Sequence, residues 1–180
     1  VSGSVLTATM AGSRCLPAEI QGLTATGFLG SPSRKATGLD SNRLAMLIAV
    51  LEKHGGVRLA DQNVFAAAPG GLRIVEPAAD LAVALAVSGA FRGQGVSPGT
   101  VVLGEVGLTG AIRNVHQLEK RLRELARRGA VRAIVPARQM KVLKGISIEG
   151  IGVSTVGEAV AQLENCGEIR LKQDSKELLN

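Results

Sequence analysis

The chain has 180 residues, 46% of them hydrophobic, and a net charge of +6 at neutral pH. That length fits one domain burying about 70% of the surface its unfolded chain exposes, no apolar run approaches the roughly 20 residues of a membrane span, and no signal peptide is expected. With no Trp, no Tyr and only Phe28, Phe65 and Phe91, the core has to be aliphatic, while Cys15 and Cys166 make no CxxC pair, which points to a reduced cytoplasmic compartment without structural metal.

Residues 1–10 and 17–26 are rich in Val, Leu, Ile and Thr, and Gly12-Ser13 between them predicts an antiparallel pair. Residues 27–38 hold four breakers and no period, which predicts a mobile loop carrying Arg34 and Lys35. Asp40 or Ser41 then caps a helix with Leu44, Leu47, Ile48 and Leu51 on one face, and Gly55-Gly56 ends it. Residues 63–68 predict a short strand closed by Pro69-Gly70-Gly71. In "RIVEPAADLAV", residues 73–83, Pro77 opens a helix with Glu76 and Asp80 as first-turn acids favoured by the helix dipole. Leu81, Val83, Leu85, Val87 and the alanines among them leave this helix no polar face, so it belongs in the middle of the core.

Residues 100–106 predict a buried strand, and residues 108–113 turn back beside it through Gly107 and Gly110. Residues 116–128 form an amphipathic helix with Val115, Leu118, Leu122 and Leu125 inward and Lys120, Arg123 and Arg127 opposite. A strand over 131–135, a helical piece over 136–143, a strand over 146–153 and a helix over 156–163 follow. Residues 1–165 make the domain and residues 166–180 a charged C-terminal tail. Strand pairs mixed with strand–helix–strand units and a central buried helix give an α+β or α/β fold.

Function is less plainly written. There is no GxxxxGK[ST] loop to hold nucleotide phosphates, and "GEVGLTG" lacks the strand–loop–helix setting of a dinucleotide site. Between Lys120 and Lys144 the basic residues are opposed only by Glu124 after residue 120, which is either a solvated helix face or a surface for an acidic partner. Arg34, Lys35, Arg43, Arg113, Lys120, Arg121, Arg123 and Arg127 are the candidates to meet that partner, whether the phosphates of a nucleic acid such as DNA or the acids of a neighbouring subunit. With so few aromatics, contact would run through phosphates, with little sequence preference and a steep loss of affinity in salt.

Two stretches carry a resemblance. "GEVGLTGAIRNVHQLEKRL", residues 104–122, resembles the segment of Lon-type proteases that holds their catalytic lysine, and "EPAADLAVALA", residues 76–86, falls where they carry the nucleophilic serine. With "ATGLDSNRLAMLIAVLEKHGG" and "GGLRIVEPAADLAVALA", residues 1–165 resemble the Lon-like C-terminal domain of the RadA (Sms) family of bacterial DNA repair proteins. The resemblance implies an α+β fold like the Lon proteolytic domain (ribosomal protein S5 domain 2-like), with mixed sheets packed with helices.

It also places the dyad. The serine would follow the helix-start proline, and here Ala78 follows Pro77; the lysine would follow the leucine of the second motif, and here Glu119 follows Leu118. A methyl group cannot attack a carbonyl, and a carboxylate is no neutral amine to take a proton. Losing the nucleophile alone typically costs on the order of 10⁶ in rate. No catalytic residue and no metal site are therefore expected. Lys120 lies about 100° further round its helix, Ser88 reads as a satisfied core hydroxyl, and His54 and His116 read as structural or surface residues.

The family implies a homo-hexamer in recombinational repair, with a zinc finger and a RecA-like ATPase before this domain. The Zn, ATP and Mg belong to those parts, this domain needs no cofactor, and a RecA-type recombinase is an implied partner; no membrane is. Repeated weak contacts around a ring would add through effective concentration. Two alternatives stay open: a residual peptidase using another nucleophile, and a pure oligomerisation or protein-interaction scaffold.

Overall fold

The chain starts with the expected antiparallel pair, β1 (Ser4–Ala11) and β2 (Arg14–Thr26), in register so that Val5 opposes Ile20 and Met10 opposes Cys15. The structure is a computed structural model and describes residues 1–27 and 31–166. Phe28 and the expected tail beyond Cys166 lie outside the described residues.

The stretch read as a mobile loop contains a strand instead: β3 (Arg34–Thr37) runs parallel to β4 (Gln62–Ala67), with Lys35 opposite Phe65. Four residues between Ser33 and Gly38 are too few to raise a period, and pairing with β4 is a tertiary choice invisible locally. Between them, α1 (Ser41–His54) starts where Asp40 accepts the Asn42 and Arg43 amides at 2.8 and 2.9 Å. It buries Leu44, Leu47, Ile48, Val50 and Leu51. A 3-10 turn, Pro77–Ala79, leads into α2 (Asp80–Arg92), whose residues 80–89 are all buried as its apolar circumference requires. Gly93 ends it at φ 65°, a left-handed cap glycine adopts freely.

After β5 (Gln94–Gly95), the single strand expected over 100–106 proves to be two, β6 (Thr100–Val102) and β7 (Glu105–Val106), in different sheets. The break lies at Gly104, which bonds the helix start rather than a strand: its N–H donates to the Ala78 carbonyl and its carbonyl accepts from Leu81, each at 3.0 Å. β7 then forms a hairpin with β8 (Ile112–Arg113). The amphipathic helix follows as α3 (Leu118–Arg127), then β9 (Arg132–Pro136), a 3-10 piece (Ala137–Leu143), β10 (Glu149–Val153), α4 (Val156–Val160) and β11 (Glu164–Asn165), which pairs with β5.

Seven strands make one mixed sheet in the order β10-β9-β6-β1-β2-β4-β3. It is an α and β fold, a mixed sheet packed with helices. Alternation along the strands sends Val5, Ile20, Val64, Val102 and Ile134 to one face, where α1, α2 and α4 close the larger core. Ala8, Cys15, Val101, Ala133 and Val135 point to the other, against Leu118, Leu122 and Leu125 of α3. α3 covers only part of that second face, leaving Leu6 and Leu23 47% and 61% exposed. No helix among the described residues is long and apolar enough to cross a membrane.

Candidate nucleic-acid interface

The helix start that opens α2 is chemically closed. Ala78 is 6% exposed and packs in the core of the second face. Its neighbours on the α2 side are equally committed: Ala79 N–H donates to the Glu76 carbonyl and Leu81 N–H to Gly104. Glu119 is elsewhere, 59% exposed on α3, and accepts two bonds from Arg123 at 2.9 and 3.1 Å. Of the two residues that the resemblance assigns to the dyad, Ala78 is thus buried and Glu119 exposed.

Both acids flanking the turn hold an arginine. Glu76 accepts two N–H groups of Arg121 together with the Met10 amide at 3.0 Å. Arg121 also donates to the carbonyls of Ala8 at 3.1 Å and His116 at 2.9 Å, and it is 1% exposed. Burial pushes the Glu76 carboxyl up, but the Arg121 guanidinium and the Met10 amide outweigh it and hold the group below its usual value. Asp80, 3% exposed, accepts from Val106 N–H at 3.1 Å and twice from Arg43. Here burial prevails, and the carboxyl sits above its usual value despite Arg43. Ser88 is satisfied by the Ala84 carbonyl at 2.7 Å, and His54 and His116 are exposed.

The eight basic residues expected to meet DNA are spread over several places. Arg121 is internal, so its guanidinium cannot reach a phosphate, and Arg43 is taken by Asp80. Arg34 is half-buried at the sheet edge, bonded to the Leu59 carbonyl at 3.1 Å, while Lys35 is exposed beside it on the other side of the strand. Arg113 is exposed on β8. Lys120, Arg123 and Arg127 do come together, in a groove of ≈ 840 Å³ between α3 and the β1–β2 turn.

That groove adds Arg14 and Arg128 and contains Glu119 and Glu124, so five cations meet two carboxylates. Lys120 donates to the Ser13 carbonyl across it. Arg127 and Arg128 share Glu124, each at 3.0 Å. Gln117 at its end adopts φ 53°, a left-handed conformation uncommon outside glycine. Cys15 forms part of the floor, and burial pushes its thiol up, which makes it a poor nucleophile. Among the described residues no group of His, Cys, Asp and Glu could hold a metal ion. Arg14 escaped sequence reasoning because the signal lies in the hairpin, which folds residue 14 back beside α3.

The family described as subunit ChlI of Mg-chelatase matches residues 35–139. The chain is also similar to proteins called DNA repair protein RadA. It is 42% identical to that of Halalkalibacterium halodurans over 89% of this chain and 35% of the relative. To that of Bacillus subtilis it is 42% identical over 88% of this chain and 35% of the relative. To that of Synechocystis it is 43% identical over 91% of this chain and 32% of the relative. The chain therefore spans about a third of the length of these curated relatives.

Proposed function

The chain belongs to the family described as subunit ChlI of Mg-chelatase and is homologous to DNA repair proteins called RadA, and from that premise we propose that it is a non-catalytic, Lon-like domain that serves as a hexamerisation platform and binds DNA through phosphates. The family's description names a subunit of another assembly; what this chain shares with it is the stretch 35–139. In a full-length protein resembling RadA, ATP-driven processing of recombination intermediates would fall to an ATPase domain outside this chain, with its Mg and with Zn in a separate finger. A RecA-type recombinase would be a further partner, and the setting would be the cytoplasm.

The observation that carries the DNA reading is the α3 groove. Its five cations stand on a rigid helix and a tight hairpin, with four guanidinium forks suited to phosphate. No aromatic side chain stands among the described residues lining the groove, so it fits sequence-independent backbone contact. The non-catalytic reading is supported by Ala78 and Glu119 and by the engaged amides around the helix start.

The test is a salt titration of DNA binding by the chain and by a variant with Lys120→Ala, Arg123→Ala and Arg127→Ala. Affinity should fall alike for every sequence, and the slope of log K against log salt should drop by about 0.9 for each duplex phosphate that the variant leaves unneutralised. Unchanged affinity would overturn the groove as the interface. A pure scaffold, in which this basic face meets acids of a neighbouring subunit or another protein instead of DNA, is the rival reading, favoured by Arg123, Arg127 and Arg128 already being paired with Glu119 and Glu124. On that reading sedimentation of the triple variant would show a lost hexamer while DNA binding survived.

A further inference from the structure

The face that holds the groove continues past α3. β2 is 13 residues long and runs from Arg14 at the groove to Thr26, so Cys15 and Leu23 lie about 26 Å apart on one side of one strand. At the far end a row crosses three strands: Leu23 opposes Phe65 in antiparallel register, and Phe65 opposes Lys35 in parallel register. All three line an open hollow of ≈ 510 Å³, and Gln21, Ala67 and Thr37 form the next row. Leu23 and Lys35 are exposed and Phe65 is half-buried between them. The helices α1 and α2 occupy the opposite face, so these side chains add nothing to that core.

We propose that Leu23, Phe65 and Lys35 form a stacking platform for an unpaired base of single-stranded DNA, on which a strand held in the α3 groove continues along β2. The proposal rests on the groove being a DNA surface and adds what that surface lacks, a contact to bases. A base has an apolar π face, which a phenyl ring on an open sheet can cover while a leucine fills the rim. The Lys35 ammonium beside the ring meets the adjoining phosphate. Bases in a duplex are already stacked on one another, so the platform selects for single strands where the groove does not. Only three aromatic residues exist in the chain, and one of them stands on open sheet next to a cation.

The charge on this face decides among occupants. Two copies meeting face to face here would bring one Lys35 ammonium toward the other, which repel, whereas a hexamer built through other surfaces leaves this face open. The carboxylate in this hollow is that of Glu19, two rows from Phe65 and about 13 Å along β2 from Leu23. It is engaged by the Ser4 hydroxyl at 2.6 Å and the Gln21 amide at 3.1 Å, away from the Lys35 end.

The absence of Trp and Tyr makes the test direct. Phe65→Trp in the 180-residue chain installs a single fluorophore on the platform. Oligo(dT) of about eight nucleotides, within the length one binding module covers, should quench it, and a duplex of equal length should not. Phe65→Leu, which keeps apolar bulk without the ring, should lower affinity for oligo(dT) by roughly tenfold, the worth of one stacked base, and leave duplex affinity unchanged. Thermal melts of both variants check that they fold. Emission unmoved by oligo(dT), or shifted only by raising protein concentration or by adding a peptide, would overturn the platform, as would an unchanged ratio of single-strand to duplex affinity in Phe65→Leu. If the groove substitutions leave binding intact while quenching persists, the groove reading fails and the continuous path along β2 fails with it, whereas binding lost and quenching abolished together support the path.

Discussion

Arg121→Met is the most informative single change to the frame beneath the groove. The guanidinium joins four places: the Ala8 carbonyl in β1, Glu76 before α2, the His116 carbonyl before α3, and α3 itself. Removing one member of a buried ion pair costs about 3–5 kcal/mol, because the other is left unpaired. The Glu76 side chain is 24% exposed and keeps the Met10 amide, so water recovers part of its charge and the lower end, about 3 kcal/mol, is expected. In a domain of this size that is a fall in Tm of about 6–12 °C. The pH dependence should change as well. Glu76 lies below its usual pKa in the parent, so it stabilises above the unfolded carboxylate pKa, and this is lost as pH falls through the lower folded value. Without Arg121 burial is opposed only by the Met10 amide and the Thr9 hydroxyl, so the folded pKa rises and acidification should weaken the variant less than the parent. Circular dichroism melts across acidic pH read both effects, and Glu76→Gln in the same chain should recover part of the loss. A fall in Tm under about 2 °C, with the pH profile of the parent, would refute the pair as the tie between β1, α2 and α3.

Gly22→Ala should lower the urea midpoint by the equivalent of about 1–3 kcal/mol with an unchanged m-value, because a Cβ there would stand 2.8 Å from the Ala86 carbonyl oxygen and force α2 off β2. Asp80 titrates in the sense opposite to Glu76: its raised folded pKa favours the fold below the unfolded carboxylate pKa, and that contribution is lost as pH rises through the folded value. Asp80→Asn should therefore flatten this decline in a series of denaturant melts at increasing pH. Ala78→Ser, alone or with Glu119→Lys, should yield no casein cleavage and cost about 1–3 kcal/mol for a hydroxyl among Leu118 and Leu122; turnover by the unsubstituted chain would overturn the non-catalytic reading.

Elements whose pattern is long and one-sided are legible in the sequence. The β1–β2 pair, the all-apolar α2 and the stripe of α3 each need only local periodicity. β3 is not legible, since four residues become a strand only when β4 lies beside them. Nor is the break in the strand after Val102, which exists because the helix start claims both polar groups of Gly104. Arg121 shows how a site residue is misread. By charge it belongs with Lys120 and Arg123, but it is three residues from Leu118 and four from Leu125, on the buried stripe. The period alone flags it as inward; its partner Glu76, 45 residues earlier, cannot be found without the fold.

On the proposed reading, the same helix start is the reason that restoring two side chains would not rebuild a hydrolase. Acyl transfer needs free N–H donors aimed at the developing oxyanion as well as a nucleophile and a base. Around Ala78 the amides of Ala79, Leu81 and Gly104 all have internal acceptors. The flanking acids fix arginines, Glu76 from β1 to α3 and Asp80 from α1 to α2. Glu119 and Glu124 on the outer side of α3 likewise hold Arg123, Arg127 and Arg128 in place at the groove. A ligand phosphate arriving there exchanges one oxyanion for another on guanidinium groups already ordered, so little side-chain entropy is lost on binding. On the proposed reading, charge that would serve bond cleavage in a Lon-type relative is used here to hold a surface in shape, and Arg121 is the point where that frame and that surface meet.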